Sequence, residues 1–116
     1  MTSPTSIFPD DKNGDALGRM QSNGDDLTKA RNIDFTVVFP NESKALAFSD
    51  HFQALGYKTV IENTGCAKDL PWDVVVVKQM LPTHEGITSF EEQLEIFAGT
   101  LGGRNDGWGC LTQTER

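Results

Sequence analysis

The chain has no long hydrophobic run: nowhere in its 116 residues does an apolar stretch approach the roughly 18 residues of a membrane-spanning helix. The N-terminal MTSPTSIFPDDKNGD offers neither a basic segment nor an apolar one, so no signal peptide is expected and a cytoplasmic location is. Basic residues are scarce, ten against seventeen acidic, for a net charge of −7. That balance disfavours direct nucleic-acid binding, which needs clustered Lys and Arg to neutralise phosphates. It disfavours anionic membranes too, and suits a basic protein partner. Cysteine is nearly absent: Cys66 and Cys110 match no C-x-x-C or zinc spacing and read as free thiols. Histidine is equally rare. His51 and His84 have only adjacent acids, Asp50 and Glu85, which point elsewhere on a helix, so neither has an orienting partner for base chemistry. No G-x-S-x-G, H-E-x-x-H or P-loop pattern occurs. An enzyme is not expected, and neither a metal nor a cofactor is.

What is present fits one small α+β domain. Residues 1–12 read as a flexible tail, 13–110 as the domain and 111–116 as a second tail. From Asp15 a short helix places Ala16, Leu17 and Met20 on one side and stops at Asn23-Gly24. Residues 25–32 read as a polar extended linker. A strand follows over 33–39, rich in β-branched and aromatic residues and ended by Pro40. Asn41 is placed to cap a helix whose Ala45, Phe48, Phe52 and Leu55 recur at three and four residues, with Gly56 closing it. A second strand spans 57–62 and a third 72–80, where Val74 to Val77 require a central, deeply buried position. Thr88 and Glu91 have capping-box spacing for a helix over 88–101 with Phe90, Leu94, Phe97 and Leu101 on one face. A last strand closes the chain at 104–110. The order β-α-β-β-α-β after a short helix is that of a ferredoxin-like domain, with a four-stranded antiparallel sheet and two helices on one face.

Four features invite chemistry. Asp11, Asn13, Gly14 and Asp15 resemble a calcium loop, but the glycine comes early and no glutamate follows at the required place; an Asx turn capping a helix is the simpler account. Strand aromatics Phe35, Phe39, Tyr57 and Trp72 could lie on the helix-free face and stack RNA bases, though no RNA-binding signature accompanies them. Glu91, Glu92 and Glu95 lie on a helix without a single cation, a pattern suited to electrostatic docking. Asp106-Gly107-Trp108-Gly109 suits a bulged edge strand whose indole packs back on the core.

The same residues carry a resemblance. Gly14-Asp15-Ala16-Leu17, Asn23-Gly24-Asp25-Asp26-Leu27-Thr28-Lys29, Ile33-Asp34-Phe35, Phe39-Pro40, Leu55-Gly56-Tyr57 and Asp106-Gly107-Trp108-Gly109 resemble the RraB-like family, regulators of ribonuclease E activity. The likeness covers about residues 13–109, and D-G-W-G is its most specific piece. It implies a ferredoxin-like domain and a cytoplasmic, non-enzymatic protein that binds ribonuclease E and inhibits its cleavage of RNA. Well-known members carry a longer, acidic C-terminal tail; here seven residues follow Gly109, with Glu115 and Arg116 among them.

The expected partner is ribonuclease E or another basic protein, bound more strongly at low salt. Glu91, Glu92 and Glu95 are the expected docking acids and Trp108 the anchor of the packed edge. Reversing the three glutamates should weaken binding and spare folding. Two alternatives stay open: a homodimer formed through the free sheet face, and a ligand- or RNA-binding domain using that face.

Overall fold

The computed structural model describes residues 11–65 and 69–110. Its elements run α1 (Lys12–Ser22), β1 (Arg31–Phe39), α2 (Glu42–Ala54), β2 (Lys58–Asn63), β3 (Trp72–Met80), α3 (His84–Thr100) and β4 (Arg104–Cys110). All four strands join in one antiparallel sheet of order β2-β3-β1-β4. Over the described residues the protein is therefore α+β, with three helices and four strands.

Strand alternation sends successive side chains to opposite faces, and the register fixes which residues share one. Ile33, Phe35, Val37 and Phe39 of β1 face the same way and are fully buried. Their partners Val76 and Val74 on β3 are buried beside them. Phe35 meets Phe90 of α3 edge-on at 4.8 Å, and Phe39 meets Phe48 of α2 at 4.9 Å. Both helices thus cover one face of the sheet. Burying each such ring contributes about 1.5–3 kcal/mol, alongside the equally buried Ile33, Val37, Val74, Val76, Ile87 and Leu94. The valine run occupies a central strand as expected; Val74 and Val76 are wholly buried, while Val75 and Val77 are half-buried on the opposite face.

The aromatic expectation is corrected here. Phe35, Phe39 and Trp72 all lie on the helix-covered side, and Tyr57 packs against the same core. Among the described residues, the open face carries no aromatic side chain, so the base-stacking platform of an RNA-binding sheet is missing.

Helix starts also differ. α1 begins at Lys12 instead of Asp15, because the Asp11 carboxylate accepts from the Gly14 amide at 2.8 Å. The Asx-turn reading of Asp11 holds. Asn41 caps α2 as expected, accepting from the Lys44 amide. α3 begins at His84, not Thr88: Thr83 is the cap, its hydroxyl accepting from the Gly86 amide. Thr88 and Glu91 therefore sit inside the helix, and their capping box does not form.

The expected linker over 25–32 is instead a locked loop. Asp25 and Arg31 are buried, and Arg31 Nη1 donates to both Asp25 oxygens at 2.9 and 2.8 Å. Arg31 Nη2 donates to the carbonyls of Asp26 and Lys29. A bidentate pair with its remaining donors satisfied can survive burial. It makes Arg31 the first residue of β1. Residues 1–10 of the expected N-terminal tail, the expected tail over 111–116 and Cys66 lie outside the described residues, as does any test of the free-thiol expectation; Asp11 and Lys12, placed in that first tail, are the cap and first residue of α1.

Candidate functional site: a groove between α1 and β4

The edge strand β4 breaks register between Thr36 and Val37 of β1, leaving Asp106 as the extra residue of a bulge. Gly107 takes φ +111° there, a backbone that a side chain would strain. The bulge turns the strand, and Trp108 resumes pairing opposite Phe35 on the helix-covered face. The D-G-W-G sequence is legible in this geometry: glycine for the bulge, tryptophan returning to the core.

Between β4 and α1 runs an open groove of about 790 Å³, walled by Asn13, Ala16, Arg19, Thr88, Asn105 and Trp108 among others. Its floor is a hydrogen-bond network. Trp108 Nε1 donates to Asn13 Oδ1 at 2.8 Å. The Asn13 amide nitrogen donates to Glu91 Oε1 at 2.8 Å and to Thr88 Oγ1 at 3.0 Å. The other Glu91 oxygen accepts from Asn105 Nδ2 at 3.0 Å. One glutamate thus ties α3 to both α1 and β4.

Glu95 has a related task. It accepts from the Asn105 backbone amide at 2.8 Å, and Asn105 Oδ1 accepts from the Gly107 amide at 3.3 Å. Two amides of an edge strand are thereby occupied within the chain, a device that discourages stray strand pairing. Glu92 points away from this network and is exposed, with no hydrogen bond or ion pair among the described residues. The sequence-expected quartet therefore separates: Glu91 and Trp108 converge on Asn13, Glu95 guards the strand edge, and Glu92 stands alone. Reversing all three glutamates would disturb β4 as well as any docking.

Asn13 and Asn105 are the residues that sequence reasoning missed. A signal existed for the first, since an indole N–H packed back on the core requires an acceptor and an asparagine stood in the N-terminal turn. Nothing in the sequence pairs it with position 108.

At the groove's mouth His84 Nε2 lies 2.9 Å from Asp11 Oδ2. The Asp11 carboxyl is held below the usual carboxylate range, first by the Gly14 amide and then by His84. His51 stacks on Phe97 at 4.1 Å on the outside of the helical layer. The two histidines are far apart in role: one braces a helix cap, the other covers an aromatic ring. No group of three His, Cys, Asp or Glu side chains is placed to hold a metal among the described residues. No buried side-chain polar atom there lacks a partner either. The groove's hydrogen bonds tie α1, α3 and β4 together.

None of the helices, over the described residues, is long and apolar enough to cross a membrane. A comparison with individually curated proteins finds no match. A family model, described as regulator of ribonuclease activity B, matches residues 10–110, which takes in α1, the locked loop, the sheet and the D-G-W-G bulge. On a match spanning nearly the whole chain, this protein belongs to the RraB family of regulators of ribonuclease activity, which act on a ribonuclease and are not themselves the catalyst.

Proposed function

We propose that this protein is a cytoplasmic, non-enzymatic regulator that docks an acidic surface on ribonuclease E, or on another basic protein, and lowers its cleavage of RNA. The observation that carries this reading is the family match over residues 10–110. The charge of −7 supports it, since an acidic surface steers toward an arginine-rich one and repels RNA. Residues 13–110 are the functional domain on this reading, and the ferredoxin-like arrangement is supported by the strand order and by both crossover helices covering one face.

Within α3 the free docking acid is Glu92, because the Glu91 and Glu95 carboxylates are engaged inside the chain. Trp108 contributes by holding the edge strand in place. The test is a titration of purified protein into ribonuclease E from the same organism, following cleavage of a short RNA. A second arm uses the nuclease's catalytic domain alone. Inhibition of the full-length enzyme is the expected result, and its loss in the truncated arm would place docking outside the catalytic domain. Undiminished cleavage at saturating, folded protein would overturn the reading.

A further inference from the structure

The helix-free face of the sheet carries a charge arrangement that folding does not need. Register puts Glu62 of β2 directly opposite Asp73 of β3, and Asp73 next to Val38 of β1. Like charges directly opposed on neighbouring strands are destabilising. Asp106, in the bulge of β4, adds a third acid close enough to act on Asp73. The Asp73 carboxyl is pushed up, first by burial and further by Asp106 and Glu62, against a bond from Thr64 at 3.4 Å. Among the described residues no cation lies within ion-pair distance of these three acids.

Beside the acids lies an apolar strip. Val60, 42% exposed, is opposite Val75, and Val77 sits one row further along opposite Lys58. On the far side of Thr36 and Asp34 the edge strand presents Gly107 and Gly109 as bare backbone, while exposed Arg104 stands opposite Val38 at the acidic end, in no ion pair with the three acids among the described residues. The face thus offers three acids against one arginine at one end, valines at its centre and two glycines along one border.

We propose that this open sheet face is the principal docking surface, and that its occupant is an extended, basic protein segment. Its Arg or Lys side chains reach Glu62, Asp73 and Asp106, and its apolar side chains cover Val60, Val75 and Val77. The proposal rests on the reading above that the partner is a basic protein, and it names the surface. Charge complementarity selects the occupant. RNA would bring phosphates to a cluster of acids, on a face whose described residues include no aromatic to stack its bases. A second copy brings another −7 charge. An arriving cation relieves the repulsion that the free protein carries, so the acids cost stability when unbound and return it on binding.

The experiment follows valine methyl signals of the full chain while adding a synthetic peptide of alternating arginine and valine, then full-length ribonuclease E. Methyl shifts at Val60, Val75 and Val77 with both are expected. The double variant Glu62→Gln/Asp73→Asn should bind each about tenfold more weakly, through loss of charge attraction. It should also unfold at higher denaturant than the wild type, a gain that a merely structural role for these acids would not give. Glu42→Gln, at an exposed acid in the first turn of α2 on the helix-covered side, should leave both affinities unchanged.

Shifts confined to α3 or the α1–β4 groove would overturn the proposal. So would full affinity in the double variant, or valine shifts that follow protein concentration alone and mark a dimer. If the double variant still inhibits ribonuclease E fully, the surface is wrong and the regulator reading stands. If the peptide shifts the valines while ribonuclease E neither binds nor is inhibited, the surface stands and the partner falls.

Discussion

Asn13 uses its whole side-chain amide to hold three parts of the chain: its oxygen takes the Trp108 indole N–H, its nitrogen serves Glu91 and Thr88. Replacing it with alanine leaves a half-buried indole donor and a carboxylate oxygen without their partner. We expect Asn13→Ala to lose about 1–3 kcal/mol in chemical denaturation, with Trp108 fluorescence altered in the folded state. The Asp25–Arg31 pair is more demanding, being fully enclosed. Arg31→Met alone strands a buried carboxylate and should cost about 3–5 kcal/mol; adding Asp25→Leu should recover much of that loss. Asp73 makes a pH prediction. A carboxyl pushed up in the folded state binds its proton more tightly there than in the unfolded chain. Its effect is therefore favourable in acid and is lost as pH rises through the carboxylate range. Asp73→Asn should raise the denaturation midpoint at neutral pH, and that gain should vanish in acid; a gain independent of pH would contradict this account.

At the scale of elements, each helix opens on a side-chain oxygen that accepts from the third helical amide: Asp11 to Gly14, Asn41 to Lys44, Thr83 to Gly86. Thr83→Ala should cost about 1 kcal/mol by denaturation, whereas Thr88→Ala removes no cap and loses only its bond from Asn13. The junction from α3 to β4 is tighter still. A Cβ on Gly103 would press into the Phe39 ring and stand 2.7 Å from the Val38 carbonyl. Gly103→Ala should destabilise by about 1–3 kcal/mol through overpacking, as read from the melting transition. The strands and the core of α2 were legible because apolar residues there follow a clean period of two or of three and four. The start of α3 was not. Thr88 and Glu91 have the spacing of a capping box, while the true cap at Thr83 has glycine at its third position and so shows no such signature. The locked loop escaped for a different reason: two opposite charges six residues apart look like any polar linker until the chain folds back on itself. The facing of Phe35 and Phe39 was recoverable from parity alone, since they alternate in step with Ile33 and Val37. The Asn13 network was not, because no local pattern links residues so distant in sequence.

The whole molecule combines a dense aromatic layer with an acidic exterior of net charge −7. Screening shortens the reach of that field to about 8 Å at physiological ionic strength. Inhibition of ribonuclease E should therefore weaken steadily as salt is raised, with the protein's own unfolding midpoint changing far less; salt-insensitive inhibition would count against electrostatic docking. The topology has a temporal side as well. β1 is an interior strand whose two neighbours, β3 and β4, both come later in the chain, and Asn13 waits for partners at positions 88, 91 and 108. During synthesis the N-terminal helix and the central strand therefore leave the ribosome with their binding edges unfilled. Only when the tryptophan of β4 has emerged can sheet and helix close together, so native structure should arrive late on the growing chain and nearly at once.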